Sequence, residues 1–412
     1  MPFPDRYGSF FSLRSTCKLF RKVVNGMPFW LEDFDLTELI VSDLNRRPNL
    51  QSERRHRGDF LPILLSDPEV VERLAGRHTW RFSCLESLIA AKYGVPSFGT
   101  NTTTISLEFQ NGLIASPSGT AQALCELKNH CIALTRLHIA KLEGHLHLPL
   151  ISGACPLLKE LGVHNPNVPF RPTAYLTGWL GPDHHALPDL EFLDIMDPDA
   201  KTYYYFYIPF ASRKSLKKLS IICDWSPPSP RLRSNQVRDL FFLQNLKALY
   251  LYPANLSAIY RLSAANIFLD EFRVQFDVQT KTNEVEQFFS SKSLRRLKHL
   301  RFSIRTYPDK WLNIIPTLTR HLQFLQTLRI QLPTPISESS GFDFSPLVHL
   351  KKLHLFMYIG DARNVSLETC ERVASRVKAM FANFKEKPEV VVREHLLVPR
   401  LYPSWHYPGP DI

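Results

Sequence analysis

The sequence predicts an α/β protein in which repeated units stack into a solenoid around one parallel sheet. The clearest unit spans residues 293–304, where Leu297, Leu300 and Phe302 follow an L-x-x-L-x-Φ pattern, Φ being an apolar residue. The step of three residues is typical of a turn. The step of two places Leu300 and Phe302 on one face of a strand, with Arg301 on the other face.

Ten copies of this pattern recur at a near-regular spacing. From Leu134 to Leu350 the chain covers 216 residues in eight steps, a mean of 27, and individual steps range from 23 to 32. Leucine-rich repeats have ~20–29 residues, with one strand and one helix or 3₁₀ turn in each. Because a single strand cannot bury its apolar face alone, stacked copies are expected to form a parallel sheet covered by the connecting segments. The apolar pairs of the ten predicted strands are Ile105 and Leu107, Leu137 and Ile139, Leu161 and Val163, Leu193 and Ile195, Leu219 and Ile221, Leu249 and Leu251, Phe272 and Val274, Leu300 and Phe302, Leu328 and Ile330, and Leu353 and Leu355.

Residues 155–161, Cys-Pro-Leu-Leu-Lys-Glu-Leu, match a C-P-x-L-x-x-L signature. This segment resembles the irregular leucine-rich repeats that commonly follow an F-box. The asparagine that such repeats carry three residues after the strand is not maintained, so the repeats are expected to be uneven in shape.

Near the N-terminus, Leu13, Cys17, Phe20 and Val24 are spaced to share one face of a helix. Together with Trp30, the segment resembles the second half of an F-box. The resemblance implies that Leu13, Cys17, Phe20 and Trp30 contact a Skp-type adaptor. The Leu-Pro helix that begins an F-box is not found in the eight residues before Ser9. Either the start codon is misplaced, or the F-box is truncated and weakened adaptor binding is expected. The alternative is an amphipathic helix that packs on the end of the solenoid.

The family resemblance implies a substrate-recognition subunit of a Skp–cullin–F-box ubiquitin ligase that holds a protein substrate on the concave sheet. Catalysis would come from a recruited partner, so the chain itself is not expected to be an enzyme. The alternative is a leucine-rich-repeat scaffold for protein interactions without ubiquitin-ligase association.

Five regions follow from these patterns. A partial F-box-like helical unit spans residues 1–40, linker and capping helices span 41–100, and the solenoid spans 101–360. A C-terminal cap spans 361–398, and a disordered tail is expected for 399–412. The cap is predicted to be a helix that starts after Ser366 and ends before Lys387. Its apolar side consists of Val373, Val377, Met380, Phe381 and Phe384.

The composition is that of an ordinary globular protein, with 44% hydrophobic and 22% charged residues and a net charge of +11. The charge is compatible with acidic proteins, phosphorylated ligands or RNA as partners. RNA is the weaker interpretation, because the basic residues are not interleaved with a regular stacking platform. The seven scattered cysteines, without a C-x-x-C motif, predict reduced, buried thiols in a cytoplasmic or nuclear protein. No secretory signal or membrane-spanning run was found.

No catalytic, cofactor or metal motif stands out. The histidine pairs His145/His147 and His184/His185 lack cysteine or carboxylate partners at a zinc-like spacing and are interpreted as loop residues. The aromatic run at residues 203–207 is interpreted as packing rather than as a contact patch.

The position between the two apolar residues of each strand is predicted to face the concave side. Three successive repeats place Arg273, Arg301 and Arg329 there, each 28 residues from the next, and Tyr250 precedes them. Residues 281–330 carry ten basic and three acidic side chains. Since like charges on neighbouring strands repel, these four residues predict a binding site for an acidic or phosphorylated segment. The alternative is a solvated basic face neutralised by Glu271 or Asp277. The whole predicted column is Ser106, His138, Gly162, Asp194, Ser220, Tyr250, Arg273, Arg301, Arg329 and His354.

Overall fold

Parallel strands follow one another in the order of the chain in the computed structural model of this protein. The residues described are 68–82, 85–108, 117–128, 130–140, 148–164, 187–197, 214–223, 243–252, 263, 266–276, 282–304, 314–332, 343–358 and 367–395. They belong to two units, Met1–Leu216 with Cys223–Pro230, and Lys217–Ile222 with Arg231–Ile412.

Among its described residues, the first unit has five parallel strands that pair in sequence order. They are β1 (Thr79–Phe82), β2 (Thr104–Glu108), β3 (Arg136–Ala140), β4 (Glu160–His164) and β5 (Phe192–Asp197). Its helices are α1 (Pro68–Ala75), α2 (Leu85–Gly94), α3 (Phe98–Asn101), α4 (Pro117–Leu127) and α5 (Leu148–Ala154). An aromatic cluster closes the β1 end of its core, where the Phe98 ring lies 5.2 Å from Trp80 and 6.0 Å from Phe82 between centroids.

The described part of the second unit has seven strands, again paired in parallel and in sequence order. They are β6 (Lys218–Cys223), β7 (Ala248–Tyr252), β8 (Glu271–Phe276), β9 (His299–Ile304), β10 (Thr327–Leu332), β11 (Lys352–Tyr358) and β12 (Glu389–His395). Its helices are α6 (Thr282–Phe289), α7 (Ile314–His321) and α8 (Leu367–Met380), with a 3₁₀ turn at Lys292–Leu294.

A repeated turn leads the chain into several of the strands, among them those that follow Leu297, Leu325 and Leu350. The N–H of Leu297 donates to the carbonyl of Leu294 at 2.9 Å, and the following two N–H groups, those of Lys298 and His299, both donate to the carbonyl of Asp270. The same two contacts recur one repeat later at Leu325 and two repeats later at Leu350. Each turn therefore fixes its strand against the preceding repeat, which sets the register of the sheet.

The core of the second unit lies between its sheet and its helices. The rings of Phe272 on β8 and Phe302 on β9 are bridged by Phe288 and Phe289 of α6, with successive centroid distances of 5.3, 5.1 and 6.1 Å. All four rings are fully buried. Burial of each such side chain contributes ~1.5–3 kcal/mol, so these contacts hold α6 on the apolar face of the sheet.

The structure confirms the predicted α/β class and the parallel strands. All ten predicted strands are present as β2–β11. The apolar strand residues are buried except Val163 and Ile195, which are partly exposed.

Two further strands, β1 and β12, lie in segments predicted as helices, linkers or caps. Phe82 is buried at the end of β1, and the next helix, α2, starts at Leu85. β12 holds the run Val390-Val391-Val392, which shows no apolar–polar alternation. Both strands lack the preceding L-x-x-L turn, which explains why the repeat pattern missed them.

The helix predicted to start after Ser366 is present as α8, although it ends at Met380, before the predicted boundary, and is followed by β12. Val373 and Val377 are buried on the helix and Phe381 is buried just after it. Met380 and Phe384 are partly exposed, so the apolar side is narrower than predicted. The Phe381 and Phe384 rings meet edge to face at 5.3 Å, which packs the turn that follows the helix.

Among the cysteines whose side chains are described, Cys131, Cys155 and Cys370 are buried, as predicted, whereas Cys125 is exposed. Cys125 lies on the outward side of α4, so the prediction that all thiols are buried is wrong there. Burial raises the pKa of both Cys131 and Cys155 to about 12, which makes them poor nucleophiles. Among the described helices, none has the length and apolar character needed to cross a membrane.

Several predictions fall outside the described residues. These are the F-box-like residues Leu13, Cys17, Phe20 and Trp30, the histidine pairs, the aromatic run at 203–207 and the tail at 399–412.

Candidate functional site

Backbone pairing brings the predicted site residues of the second unit together. Tyr250 on β7 pairs with Arg273 on β8, Arg273 pairs with Arg301 on β9, and Arg301 pairs with Arg329 on β10. The row continues to His354 on β11 and starts at Ser220 on β6. Paired strands lie ~4.8 Å apart, so the arginine column (Arg273, Arg301 and Arg329) is a continuous row of three cations.

Arg273 is held at one end of the arginine column. Its Nε and Nη2 atoms lie 2.9 and 2.8 Å from Oε1 of Glu271, which is two residues earlier on the same face of β8. Its guanidinium carbon lies 4.3 Å from the centroid of the Tyr250 ring, a cation–π contact. The same ring receives Lys218 Nζ at 4.8 Å. One of the two carboxylates proposed to neutralise the basic face, Glu271, thus pairs with Arg273, and Asp277 lies outside the described residues.

Arg329 is held at the opposite end by another aromatic ring. Its guanidinium carbon lies 4.5 Å from the centroid of Phe356, on β11. Its Nε atom is buried and, within the described part of the chain, makes no hydrogen bond. The neighbouring His354 has the same feature, since its Nε2 atom is buried without a hydrogen bond there. Leaving a buried donor unsatisfied costs about 1–3 kcal/mol.

Arg301 lies between these two anchored arginines. Burial, together with the charges of Arg329 and Arg273, lowers the pKa of Arg301 to about 8, while Tyr250 acts in the opposite direction. Burial, Arg273 and Arg393 also lower the pKa of Arg329. Because a guanidinium keeps its proton in proteins, both shifts mean that the charged side chains are in an unfavourable environment. Two like charges about 5 Å apart repel by ~1–3 kcal/mol in media between water and a protein surface.

The predicted column continues separately in the first unit, with different chemistry. Ser106, His138, Gly162 and Asp194 pair in turn across β2–β5. The Ser106 hydroxyl and His138 Nδ1 are hydrogen-bonded at 3.0 Å. The His138 ring extends over Gly162, where an added Cβ would lie 2.5 Å from Cδ2 of the ring. This column contains no arginine or lysine, which distinguishes it from the arginine column.

Strand alternation predicts that Tyr250, Arg273, Arg301 and Arg329 lie in one row, and the backbone pairing places them there. The structure adds His354 and Phe356 to the site. His354 was placed in the column but not in the predicted site, and Phe356 was not considered. The signal for Phe356 is its spacing, since it follows His354 by two residues and therefore shares its face. The predicted adaptor-binding residues are not among the described residues.

The arrangement provides several N–H donors and a concentration of positive charge on a partly exposed face. Guanidinium groups in this number suit carboxylates and phosphates, which accept paired hydrogen bonds. Among the described residues, no group of three or more His, Cys, Asp or Glu side chains is placed to hold a metal ion. No protein-family profile matches the chain, and no curated protein sequence matches it at a significant level. The functional interpretation therefore rests on the site.

Proposed function

We propose that this protein is an irregular leucine-rich-repeat solenoid that acts as a receptor for anionic protein segments. In this proposal it is the substrate-recognition subunit of a Skp–cullin–F-box ubiquitin ligase in the cytoplasm or nucleus. The segment binds along the polar face of the second unit, at Tyr250, Arg273, Arg301 and Arg329.

The arginine column is the observation that carries the proposal. Three guanidinium groups in adjacent register repel one another, and their partial burial opposes folding. Tyr250 and Glu271 hold Arg273, and Phe356 holds Arg329, so the row is ordered before any ligand arrives. Such preorganisation lowers the entropy cost of binding.

The ligase role rests on the resemblance of residues 9–36 to the second half of an F-box. It requires that Leu13, Cys17, Phe20 and Trp30 bind a Skp-type adaptor while the repeats hold the substrate. The two activities would then lie in separate parts of the sequence and respond to different substitutions.

Co-purification of the full chain with a Skp-type adaptor tests the ligase role. We expect the wild type and the triple Arg273→Ala, Arg301→Ala, Arg329→Ala variant to retain the adaptor equally. The Phe20→Ala, Trp30→Ala variant should lose it. If the wild type retains no adaptor, the ligase role fails and a leucine-rich-repeat scaffold becomes the better description.

A further inference from the structure

Two buried nitrogen atoms lie side by side at the β10–β11 end of the arginine column. Arg329 and His354 are paired residues on neighbouring parallel strands. Arg329 Nε and His354 Nε2 are both buried, and neither makes a hydrogen bond with the described residues. Native structures pair nearly all such atoms, so two adjacent exceptions point to an oxygen-bearing partner that binds there.

We propose that Arg301, Arg329 and His354 form a subsite for a tetrahedral dianion, the phosphoryl group of a bound segment, and that its binding takes up a proton at His354. The inference deepens the proposed receptor function and rests on it for the source of the phosphoryl group, a phosphorylated peptide. The three side chains are each partly exposed, so the row is open to a ligand from solvent.

The charge balance favours a phosphoryl group over a carboxylate. Glu271 supplies one carboxylate to Arg273, and Arg301 and Arg329 lie on paired neighbouring strands further along the row. A phosphorylated side chain carries a charge of about −1.5 to −2 and three acceptor oxygens. It can neutralise two guanidinium groups and still accept a hydrogen bond from an imidazole. A single carboxylate carries half of that charge and offers two oxygens.

The proton uptake follows from the groups that face His354. Arg329 approaches from β10, Lys352 lies on the same strand, and Glu389 and Arg393 lie on β12. Burial and the three cations lower the pKa of His354, and Glu389 opposes them. A dianion next to the ring would reverse this balance. The imidazolium then gains an opposite charge, so the proton and the anion bind cooperatively.

Sulfate is the probe that isolates this coupling, because it stays a dianion from pH 5.5 to 8 while phosphate itself titrates. Sulfate is added to the full chain at constant ionic strength, and the His354 ring signals are followed by NMR and assigned with the His354→Gln variant. We expect sulfate to shift those signals and to bind more tightly as the pH falls from 7.5 to 6. The gain should be up to about tenfold per pH unit, the limit for uptake of one proton.

The variants separate the roles of the side chains. Arg329→Gln should weaken sulfate binding by about tenfold or more. His354→Gln should bind sulfate with an affinity that no longer depends on pH, and the exposed turn variant Arg295→Gln should match the wild type. His354 signals that do not respond to sulfate in the wild type would overturn the subsite whether or not any variant folds. Wild-type sulfate affinity that is independent of pH would overturn the proton uptake.

Three further ligands identify the source of the phosphoryl group. A glycine-rich heptapeptide with a central phosphoserine should displace sulfate at least ~10-fold more effectively than the same peptide with glutamate. Inositol hexakisphosphate serves as the soluble alternative, and tighter binding of this ligand than of the phosphopeptide would overturn the peptide assignment. Adaptor co-purification is independent of all these measurements, so failure of the subsite leaves the ligase role standing and the reverse also holds.

Discussion

The guanidinium carbon of Arg273 lies 4.3 Å from the ring centroid of Tyr250, on the neighbouring strand. Tyr250 is only 8% exposed, so the ring is a fixed surface rather than a mobile side chain. The contact directs Arg273 towards β7, away from Arg301, while Arg329 stacks on Phe356 on the other side. The aromatic residues thereby spread the three cations apart, which reduces their repulsion.

Removal of the Tyr250 ring should destabilise the second unit. We expect Tyr250→Leu to lower the free energy of unfolding by about 1–2 kcal/mol, from the lost cation–π contacts and the lost packing. Tyr250→Phe keeps the ring and should cost less than half as much. Urea denaturation of both variants measures the difference, and equal losses would show that the ring contact with Arg273 contributes nothing.

We expect Arg301 to lower the free energy of unfolding of the ligand-free protein. Because it is partly buried between two other cations, Arg301→Met, which keeps a long unbranched side chain, should raise the free energy of unfolding by about 1 kcal/mol. The matched control Arg295→Met, at an exposed turn position of the same repeat, should stay within about 0.5 kcal/mol of the wild type.

The same substitution should remove anion binding, which would be the signature of a functional site maintained against stability. A clear loss of stability in Arg301→Met would instead assign Arg301 a structural role, and the argument for a ligand would lose its main support.

The structure also predicts a pH dependence of stability through His354. Its pKa is lowered in the folded state, whereas in the unfolded chain it returns to ~6.5. Below that value the unfolded chain takes up a proton that the folded chain does not, so the free energy of unfolding falls as the pH decreases below about 6.5. The slope from this one group is at most ~1.4 kcal/mol per pH unit.

Thermal denaturation between pH 5.5 and 7.5 measures the pH dependence of stability. Variants at single histidines separate the contribution of His354 from that of the other histidines. His354→Gln should flatten the profile relative to the wild type. His299→Gln, at an exposed position on β9, is the matched control substitution. If the stability of His354→Gln changes with pH in the same way as that of the wild type, the pKa of His354 is the same in the folded and the unfolded state.

Gly162 should be irreplaceable as long as His138 is present. An alanine Cβ at this position would lie 2.5 Å from the His138 ring, and such overpacking typically costs 1–3 kcal/mol. The double variant Gly162→Ala, His138→Ala should recover most of the loss that Gly162→Ala causes, after the cost of His138→Ala alone is subtracted. Strictly additive losses in this double-mutant cycle would contradict the steric explanation.

The strands were predictable because the signal is local and repeated. A turn leucine followed by two alternating apolar residues, as at Leu297, Leu300 and Phe302, specifies both the turn and the buried face of each strand. β1 and β12 lack that turn, and only the pairing with β2 and β11 makes them strands. Their structure depends on the tertiary context, which short-range periodicity does not contain.

The row of site residues was predictable for the same reason, since strand alternation fixes which face each residue occupies. The direction in which each guanidinium group points could not be predicted, because it depends on contacts with side chains on neighbouring strands. Phe356 attracts Arg329 although the two are 27 residues apart in the sequence.

The central claim is that the arginine column binds an anionic peptide segment. Fluorescence anisotropy with the phosphoserine heptapeptide tests it most directly, when the wild type is compared with the triple Arg273→Ala, Arg301→Ala, Arg329→Ala variant at several salt concentrations. We predict that the wild type binds with an affinity that falls steeply with salt, and that the variant loses at least ~100-fold in affinity together with most of the salt dependence. Equal affinity and equal salt dependence in the two proteins would contradict the claim.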